Sequence, residues 1–130
     1  MNKHVEKAME FRSLKGAEDN CAQAIMKTYA DEIGITENQA SCIACNFGGG
    51  MKSGSICGAV TSALMVLGAK GINNPAIIRE FKNKIRENHN GNINCSDLLK
   101  ANIEKGGNKK EHCDGMIREE IELIDQYTAE

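Results

Sequence analysis

Apolar residues recur every three to four positions along most of this chain, which is the period of an amphipathic α-helix. In the last such stretch, Ile117, Ile121 and Ile124 share one stripe. No stretch alternates with the period of two that a half-buried strand shows, so no sheet is predicted. The segments predicted to be helical are residues 3–14, 18–32, 36–47, 55–68, 75–88, 94–99 and 116–127, and residues 104–110 are predicted to form an exposed loop. We expect an all-α, compact single-domain bundle of about six helices over residues 1–130.

Capping residues mark several of the predicted helix boundaries. Thr36 and Gln39 form the pattern of a capping box. Asn74 and Pro75 combine an N-cap residue with the residue preferred at the first helical position, and Gly34 is placed to end a helix. The helix that follows Thr36 is apolar on nearly every side, so we expect it to be buried.

The stretch from Phe47 to Gly68 is the most distinctive part of the pattern. It begins as a glycine-rich loop, and from about Ser55 it becomes a buried central helix of small and then large apolar residues. Ser53 or Ser55 is expected to cap this helix, which places Cys57 in its first turn. Amide dipoles point outward at a helix start and favour an anion there.

Composition and charge argue against several functions. The net charge is −2 and the chain has three Phe, two Tyr and no Trp, so it lacks the basic stripe and the stacking platforms of nucleic-acid-binding proteins. The longest apolar run, residues 56–69, is too short to span a bilayer, and we expect no membrane insertion. The N-terminus shows no apolar signal segment, so a cytoplasmic location is expected.

Six cysteines favour metal binding or redox chemistry, because permanent disulfides are rare in the cytosol. Four of them, Cys21, Cys57, Cys95 and Cys113, fall at or near the predicted starts of four helices. Each helix start carries about half a positive charge, so four converging starts would stabilise four thiolates or a cluster that they bind. Chance placement is the alternative, because helix starts occupy much of a small helical protein and free cysteines often serve as buried apolar residues.

These four cysteines also carry a resemblance to a known family. The residues concerned are Asn20-Cys21-Ala22-Gln23-Ala24, Cys57-Gly58-Ala59 after the glycine-rich loop, Cys95 and Cys113. Their order resembles the C_GCAxxG_C_C family of redox-active proteins, which implies that they are its four characteristic cysteines. Some family members carry export signals that suggest a bound prosthetic group such as an iron–sulfur cluster. This chain departs from the pattern at Ser62, where the box has glycine, and in lacking such a signal.

Cys42 and Cys45 form a separate C-x-x-C motif. On a helix this spacing puts both sulfurs on one side, close enough to share a metal or to form a redox pair. No predicted strand precedes the motif as in thioredoxin-like proteins, and Asn46 stands where haem attachment requires histidine. We therefore expect two buried thiols in an apolar helix, with a supplementary role beside the main centre as the alternative.

The cysteine pattern and the resemblance together predict a redox-active protein. We expect its four characteristic cysteines to bind an iron–sulfur cluster for electron transfer, with the backbone of Gly49, Gly50 and Gly58 against the cofactor. If no cluster is bound, the same cysteines are the redox-active groups of a thiol–disulfide protein. A structural zinc site and a partner-binding bundle without catalysis are the further alternatives. The expected partner is an oxidoreductase, which this chain would serve as an electron carrier or accessory protein rather than as a stand-alone enzyme.

Overall fold

Seven α-helices form most of the computed structural model, which describes residues 2–13 and 19–129. They are α1 (Lys3–Ser13), α2 (Cys21–Ile33), α3 (Glu37–Ala44), α4 (Gly58–Ala69), α5 (Pro75–Asn88), α6 (Cys95–Glu104) and α7 (Lys109–Thr128), and a π-type turn at Gly50–Gly54 separates α3 from α4. The all-α prediction is confirmed, since the described part of the chain contains no strand. Helices are more numerous than the six or so expected, because the segment after residue 94 is a full helix of 10 residues.

Side-chain caps begin most of these helices, as the sequence predicts for two of them. Thr36 and Gln39 form the expected capping box at α3, and the Asn74 side chain accepts from the first amides of α5. A second capping box, which was not predicted, joins Asn20 and Gln23 at α2. Helix α2 therefore begins at residue 21, later than the predicted start at Glu18 or Asp19. Glu18 and the predicted end of the first helix at Leu14 lie outside the described residues.

The core is built around α2 and α4, which pack against each other while α7 crosses both. Small residues on α4 allow the close approach, and the buried Ser62 hydroxyl donates a hydrogen bond of 3.0 Å to the carbonyl of Ala22. Tyr29 and Leu67 are fully buried where these helices meet the rest of the core. The buried central helix that the sequence predicts is therefore α4, whose N-terminus faces the start of α2.

Helix α3 is shorter and more exposed than its sequence predicts. It ends at Ala44 instead of Phe47, and only Ala40 and Ala44 are buried along it. Ile43 is 49% exposed, so the expectation of a buried helix is wrong. The reason is that α3 packs on α2 through one narrow stripe of small residues, and nothing in the described structure covers its other faces.

The start of α4 also differs from the prediction, because the residues before it are extended. Cys57 is the N-cap of α4 rather than a member of its first turn, and neither Ser53 nor Ser55 caps it. Residues 55–57 run antiparallel to residues 93–95, where the amide of Cys57 bonds Ile93 O at 2.9 Å and that of Cys95 bonds Ser55 O at 2.7 Å. This pairing of distant segments keeps residues 55–57 extended, so that α4 begins only at Gly58, and it places Cys57 opposite Ile93.

The last helix begins earlier than predicted. Asn108 caps it through the amide of Glu111, so α7 starts at Lys109 instead of Met116. Cys113 therefore lies in the second turn of α7, not at or before its start. The predicted loop over residues 104–110 shrinks to four residues between α6 and α7.

Candidate redox site

The four characteristic cysteines come from four helices that are far apart in the sequence. Cys21 is the first residue of α2, Cys57 the N-cap of α4, Cys95 the first residue of α6, and Cys113 lies in α7. All four are free thiols; the first three are buried and Cys113 is half-buried. Burial and the charge of a Cys21 thiolate raise the pKa of Cys95 and of Cys113. Cys21 thus lies within electrostatic range of the other three sulfurs.

Cys21 and Cys57 form the tightest pair within this group. The Cys57 thiol donates a hydrogen bond to the Cys21 sulfur, and this bond lowers the pKa of Cys21 to about 6 in spite of burial. The amides of Ala59 and Ala22 and the charge of Arg12 act in the same direction. The same hydrogen bond, together with burial, raises the pKa of Cys57. The pair therefore shares one proton, with the negative charge on Cys21.

The start of α4 supplies the polar surroundings of this charge. Helix α4 has no side-chain cap, so the amide of Ala59 at its first turn is free to face the two sulfurs. Cys21 itself stands at the start of α2, next to the amide of Ala22. Two helix N-termini thus meet at one sulfur, which is the environment that stabilises a thiolate.

Gly58 allows the Cys21 sulfur to approach the backbone of α4. A Cβ atom at this position would lie 2.6 Å from the carbonyl oxygen of Phe47 and 2.8 Å from Cys21 Sγ. Both distances are shorter than any Cβ contact in folded proteins, so no other residue fits without displacing the sulfur. Glycine is required here by space, since its backbone angles are ordinary.

A cavity of about 420 Å³ opens onto Cys21 and Cys113. It is lined by Arg12, Asp19, Asn20, Cys21, Gly49, Lys109, Lys110 and Cys113. Arg12 is held there by Asp114 Oδ1 at 2.8 Å and by the carbonyl oxygen of Asp19 at 2.7 Å. Three cations and one carboxylate line the cavity, so it is electropositive and leads an anion toward the Cys21 sulfur.

The three glycines expected beside a cofactor have different positions. Gly49 lines the cavity, and its left-handed φ of +65° favours glycine in that turn. Gly50 faces away, since a Cβ atom there would lie 2.2 Å from the carbonyl oxygen of Ser55. Gly58 lies behind Cys21, as described above. Of these three glycines, Gly49 alone is among the cavity-lining residues.

Sequence reasoning missed the cations of the site. Arg12 lies in α1, 9 positions before Cys21, and nothing in its local pattern links it to a cysteine. Lys109 and Lys110 stand just before Cys113 and are visible as a basic pair, but they were assigned to an exposed loop. Only the packing of α1 and α7 around the start of α2 brings these three side chains to one cavity.

Comparison with known proteins now identifies the pattern. The profile of the family described as "Putative redox-active protein (C_GCAxxG_C_C)" matches residues 19–127, which include all four cysteines of the site. The chain belongs to the C_GCAxxG_C_C family. No curated protein and no solved structure matches it.

The departure from the C_GCAxxG_C_C pattern at Ser62 is accommodated by the fold. Ser62 is fully buried between α4 and α2, and its hydroxyl is satisfied by the Ala22 carbonyl. This bond is made one residue after Cys21, so it fixes α4 against the start of α2 where the two sulfurs meet. The substitution therefore preserves the close packing that the C_GCAxxG_C_C box provides.

The side chains of the described residues do not form a metal site. Within residues 2–13 and 19–129, no three His, Cys, Asp or Glu side chains are arranged to hold a metal ion. The other three C_GCAxxG_C_C cysteines lie within electrostatic range of Cys21, but the four do not form a compact tetrahedral ligand set. Iron–sulfur and zinc binding stay predictions.

Cys42 and Cys45 lie outside the C_GCAxxG_C_C pattern and are not buried as expected. Cys42 is exposed and Cys45 is half-exposed at the end of α3, because that helix packs through its opposite face.

Among the helices that the structure describes, none is long and apolar enough to cross a membrane.

Proposed function

We propose that this protein carries out thiol–disulfide exchange, with Cys21 as the attacking thiolate and Cys57 as the second cysteine of a two-electron couple. The observation that carries the proposal is the position of the Cys21 sulfur, which lies against Gly58, next to Cys57, where the starts of α2 and α4 meet. The interaction with Cys57 lowers the pKa of Cys21 there. A thiolate is the nucleophile in this chemistry, and a pKa near ambient pH gives the fastest attack.

In the first step the Cys21 thiolate attacks one sulfur of a disulfide that enters the cavity. The disulfide bond breaks, one thiolate leaves, and Cys21 is held in a mixed disulfide with the other half. The cations at the cavity mouth favour an anionic disulfide and an anionic leaving group.

In the second step Cys57 attacks the Cys21 sulfur and displaces the second thiolate. The pKa of Cys57 is high in the reduced protein chiefly because of its hydrogen bond to the Cys21 thiolate. Formation of the mixed disulfide removes that negative charge, and the amides of Ala59 and Val60 then favour a Cys57 thiolate. Its proton passes to the first departing thiolate, so one disulfide is reduced to one thiol and one thiolate while Cys21 and Cys57 become a disulfide. A redox partner protein that carries a dithiol restores the starting state.

The pH dependence of alkylation tests the first step. Iodoacetamide modification of Cys21, followed by peptide mass spectrometry, should rise with a midpoint near pH 6, because the pKa of Cys21 is lowered to about 6. Cys57→Ala removes the hydrogen-bond donor and should move the midpoint upward, whereas Cys95→Ser should leave it in place. Slow alkylation of Cys21 at every pH from about 5 to about 9 would overturn the proposal.

Charge reversal at the cavity tests the substrate class. Lys109 lines the cavity beside Cys113. We expect Lys109→Glu to slow reaction with the anionic 5,5′-dithiobis(2-nitrobenzoate) by roughly threefold to tenfold relative to cationic cystamine. Arg79→Glu on the exposed face of α5 is the matched control. An unchanged rate ratio would show that the cavity charge does not select the substrate.

An iron–sulfur cluster for electron transfer is the second candidate. What supports it is that Cys57, Cys95 and Cys113 all interact electrostatically with Cys21, which lines the cavity together with Cys113 and three cations. Four thiolates with a cluster carry negative charge, which these cations would favour. The four thiols would have to move closer together to ligate one. Anaerobic purification, iron and sulfide analysis and a visible spectrum after reconstitution test this candidate, and a colourless protein without iron or sulfide would remove it. Zinc analysis of the same sample tests the structural alternative.

A further inference from the structure

We infer that Cys42 and Cys45 form a second redox pair at the surface, which exchanges with disulfides carried by other proteins. Cys42 is exposed and Cys45 half-exposed, whereas Cys21 is buried at a cavity of about 420 Å³. A protein-borne disulfide is too large for that cavity but can reach the end of α3. The two pairs therefore serve disulfides of different size.

The spacing of the two residues allows a disulfide between them. They are separated by one turn of α3, and Cys45 Sγ already points back to within 3.2 Å of the carbonyl oxygen of Cys42. Residues three apart on a helix have Cβ atoms about 5–6 Å apart, and a disulfide needs about 3.8 Å. A closure of about 1.5–2 Å is thus required.

The end of the helix is where this movement is easiest. Cys45 is the C-cap of α3, where the regular helical ladder ends, and its carbonyl oxygen accepts a hydrogen bond of 3.0 Å from the Asn20 side chain. Beyond it the chain makes only a turn, in which the amide of Phe47 bonds the carbonyl of Ala44 at 3.0 Å. A disulfide formed here is exposed and slightly strained, which is typical of bonds that are readily reduced again.

The surface beside the two thiols suits contact with another protein. Ile43 lies between them in the sequence and is 49% exposed, and Met51 in the following turn is 42% exposed. The Lys52 ammonium is bonded to Asn46, so that turn lies against the end of α3. An approaching protein therefore meets apolar side chains next to Cys42.

The exchange converts two thiols of this protein and one disulfide of the partner into one disulfide of this protein and two thiols of the partner. Cys42 attacks a sulfur of the partner's disulfide, that bond breaks, and one partner thiolate leaves with the proton of Cys42. Cys45 then attacks the Cys42 sulfur and releases the second partner thiolate, which takes the proton of Cys45. The partner's disulfide is reduced by two electrons, and Cys42 and Cys45 are oxidised to a disulfide.

The test uses a full-length variant in which Cys21, Cys57, Cys95 and Cys113 are replaced by serine, so that its outcome is independent of the proposed buried couple. Its circular dichroism should match that of the wild type; if it does not fold, peptide mapping of the wild type after oxidation gives the same readout. The protein is incubated with an unfolded, disulfide-containing carrier protein, free thiols are blocked, and disulfides are mapped by mass spectrometry. We expect a Cys42–Cys45 disulfide and a matching loss of carrier disulfide.

Two single changes complete the test. Adding Cys45→Ser should trap a mixed disulfide between Cys42 and the carrier, while adding Cys42→Ser should abolish at least nine-tenths of the exchange. A maleimide attached to a 5-kDa polymer, with ~5 kDa chosen to exceed the cavity, should label Cys42 in the folded wild type and spare Cys21. Failure to find the Cys42–Cys45 disulfide, or equal labelling of Cys21 by the polymer, would overturn the inference.

Discussion

Single residues determine how closely the two sulfurs of the proposed couple approach each other. Gly58 removes the side chain that would collide with Cys21, Ser62 joins α4 to α2 by a hydrogen bond, and Arg12 adds a positive charge at the cavity. Each acts within a few ångströms of Cys21. Replacing any of them should therefore change the reactivity of Cys21 along with stability.

Two glycines of α4 provide a matched pair for this argument. Gly58→Ala should lower the free energy of unfolding by about 1–3 kcal/mol, because its Cβ atom collides with Phe47 O and Cys21 Sγ. Gly68→Ala should raise it by about 0.5–1 kcal/mol, since that exposed helical position has nothing within 4 Å of the added atom. Urea denaturation measures both. Equal effects would mean that the close approach at Gly58 is not tight.

Arg12 should act on the reactivity of Cys21 through its charge. Arg12→Gln removes a cation whose field lowers the pKa of Cys21. We expect that pKa to rise by roughly 0.5, which corresponds to about 0.7 kcal/mol. The pH profile of iodoacetamide modification measures it, with Arg79→Gln on α5 as the control. A profile that does not move would assign Arg12 to structure alone.

At the scale of elements, the helix starts connect local sequence to the site. The capping box of Asn20 and Gln23 begins α2 one residue before Cys21, and Asn20 also donates a hydrogen bond of 3.0 Å to the carbonyl of Cys45. The N-cap residue thereby fixes the orientation of Cys21 and holds the end of α3 against α2. The caps of α5 and α7 are local by comparison.

This difference predicts unequal costs for two similar substitutions. Asn20→Ala should cost about 1.5–3 kcal/mol, because it removes both the cap and the bond to Cys45. Asn74→Ala removes only an exposed cap and should cost about 0.5–1 kcal/mol. Thermal and urea unfolding of the two variants measure the difference. If Asn20→Ala lowers the free energy of unfolding by no more than Asn74→Ala, the hydrogen bond from Asn20 to the carbonyl of Cys45 does not contribute to stability.

Element prediction succeeded where the determinants are local. The box at Thr36 and the Asn74-Pro75 start were predicted correctly, because the cap and the amide it satisfies are two or three residues apart. The start of α4 was predicted incorrectly, because it depends on the pairing of Ile56 with Asn94, which lie 38 positions apart in the sequence. The exposure of Cys42 was missed for a related reason, since an apolar face does not show whether another helix covers it.

At the scale of the whole molecule, α7 joins the redox site to the rest of the core. It carries Cys113 near one end, the fully buried Glu120 in the middle, and Asp125 near the other end, where His4 and Tyr29 bond it. Glu120 differs from the other two, because neither of its carboxyl oxygens has a hydrogen-bond partner in the described structure.

Glu120 should make global stability depend on pH. Burial and the charge of Glu119 raise the pKa of Glu120 well above its usual range, so the folded protein holds it neutral. An unfolded chain ionises it near pH 4.3, and above that pH the free energy of unfolding falls by up to about 1.4 kcal/mol per pH unit until the raised pKa is reached.

Replacing this side chain by an apolar one should remove that dependence. We expect Glu120→Met to exceed the wild type in stability at about pH 8 by roughly 2 kcal/mol more than at about pH 5. Urea titrations at the two pH values measure this, with Glu122→Gln on the exposed face of α7 as the control. If the two proteins change in parallel with pH, Glu120 is ionised or solvated in the folded state.

The sequence by itself determined that the chain is helical, the caps of α3 and α5, and the order of the four cysteines in the family pattern. Periodicity and capping act between residues a few positions apart, and the cysteine order is a linear pattern that needs no packing to be visible. Tertiary structure alone decided that Cys21 pairs with Cys57, that Arg12 reaches the cavity and that Cys42 stays exposed. Those facts depend on contacts between segments that are distant in the chain, and such contacts leave no local trace in the residues that make them.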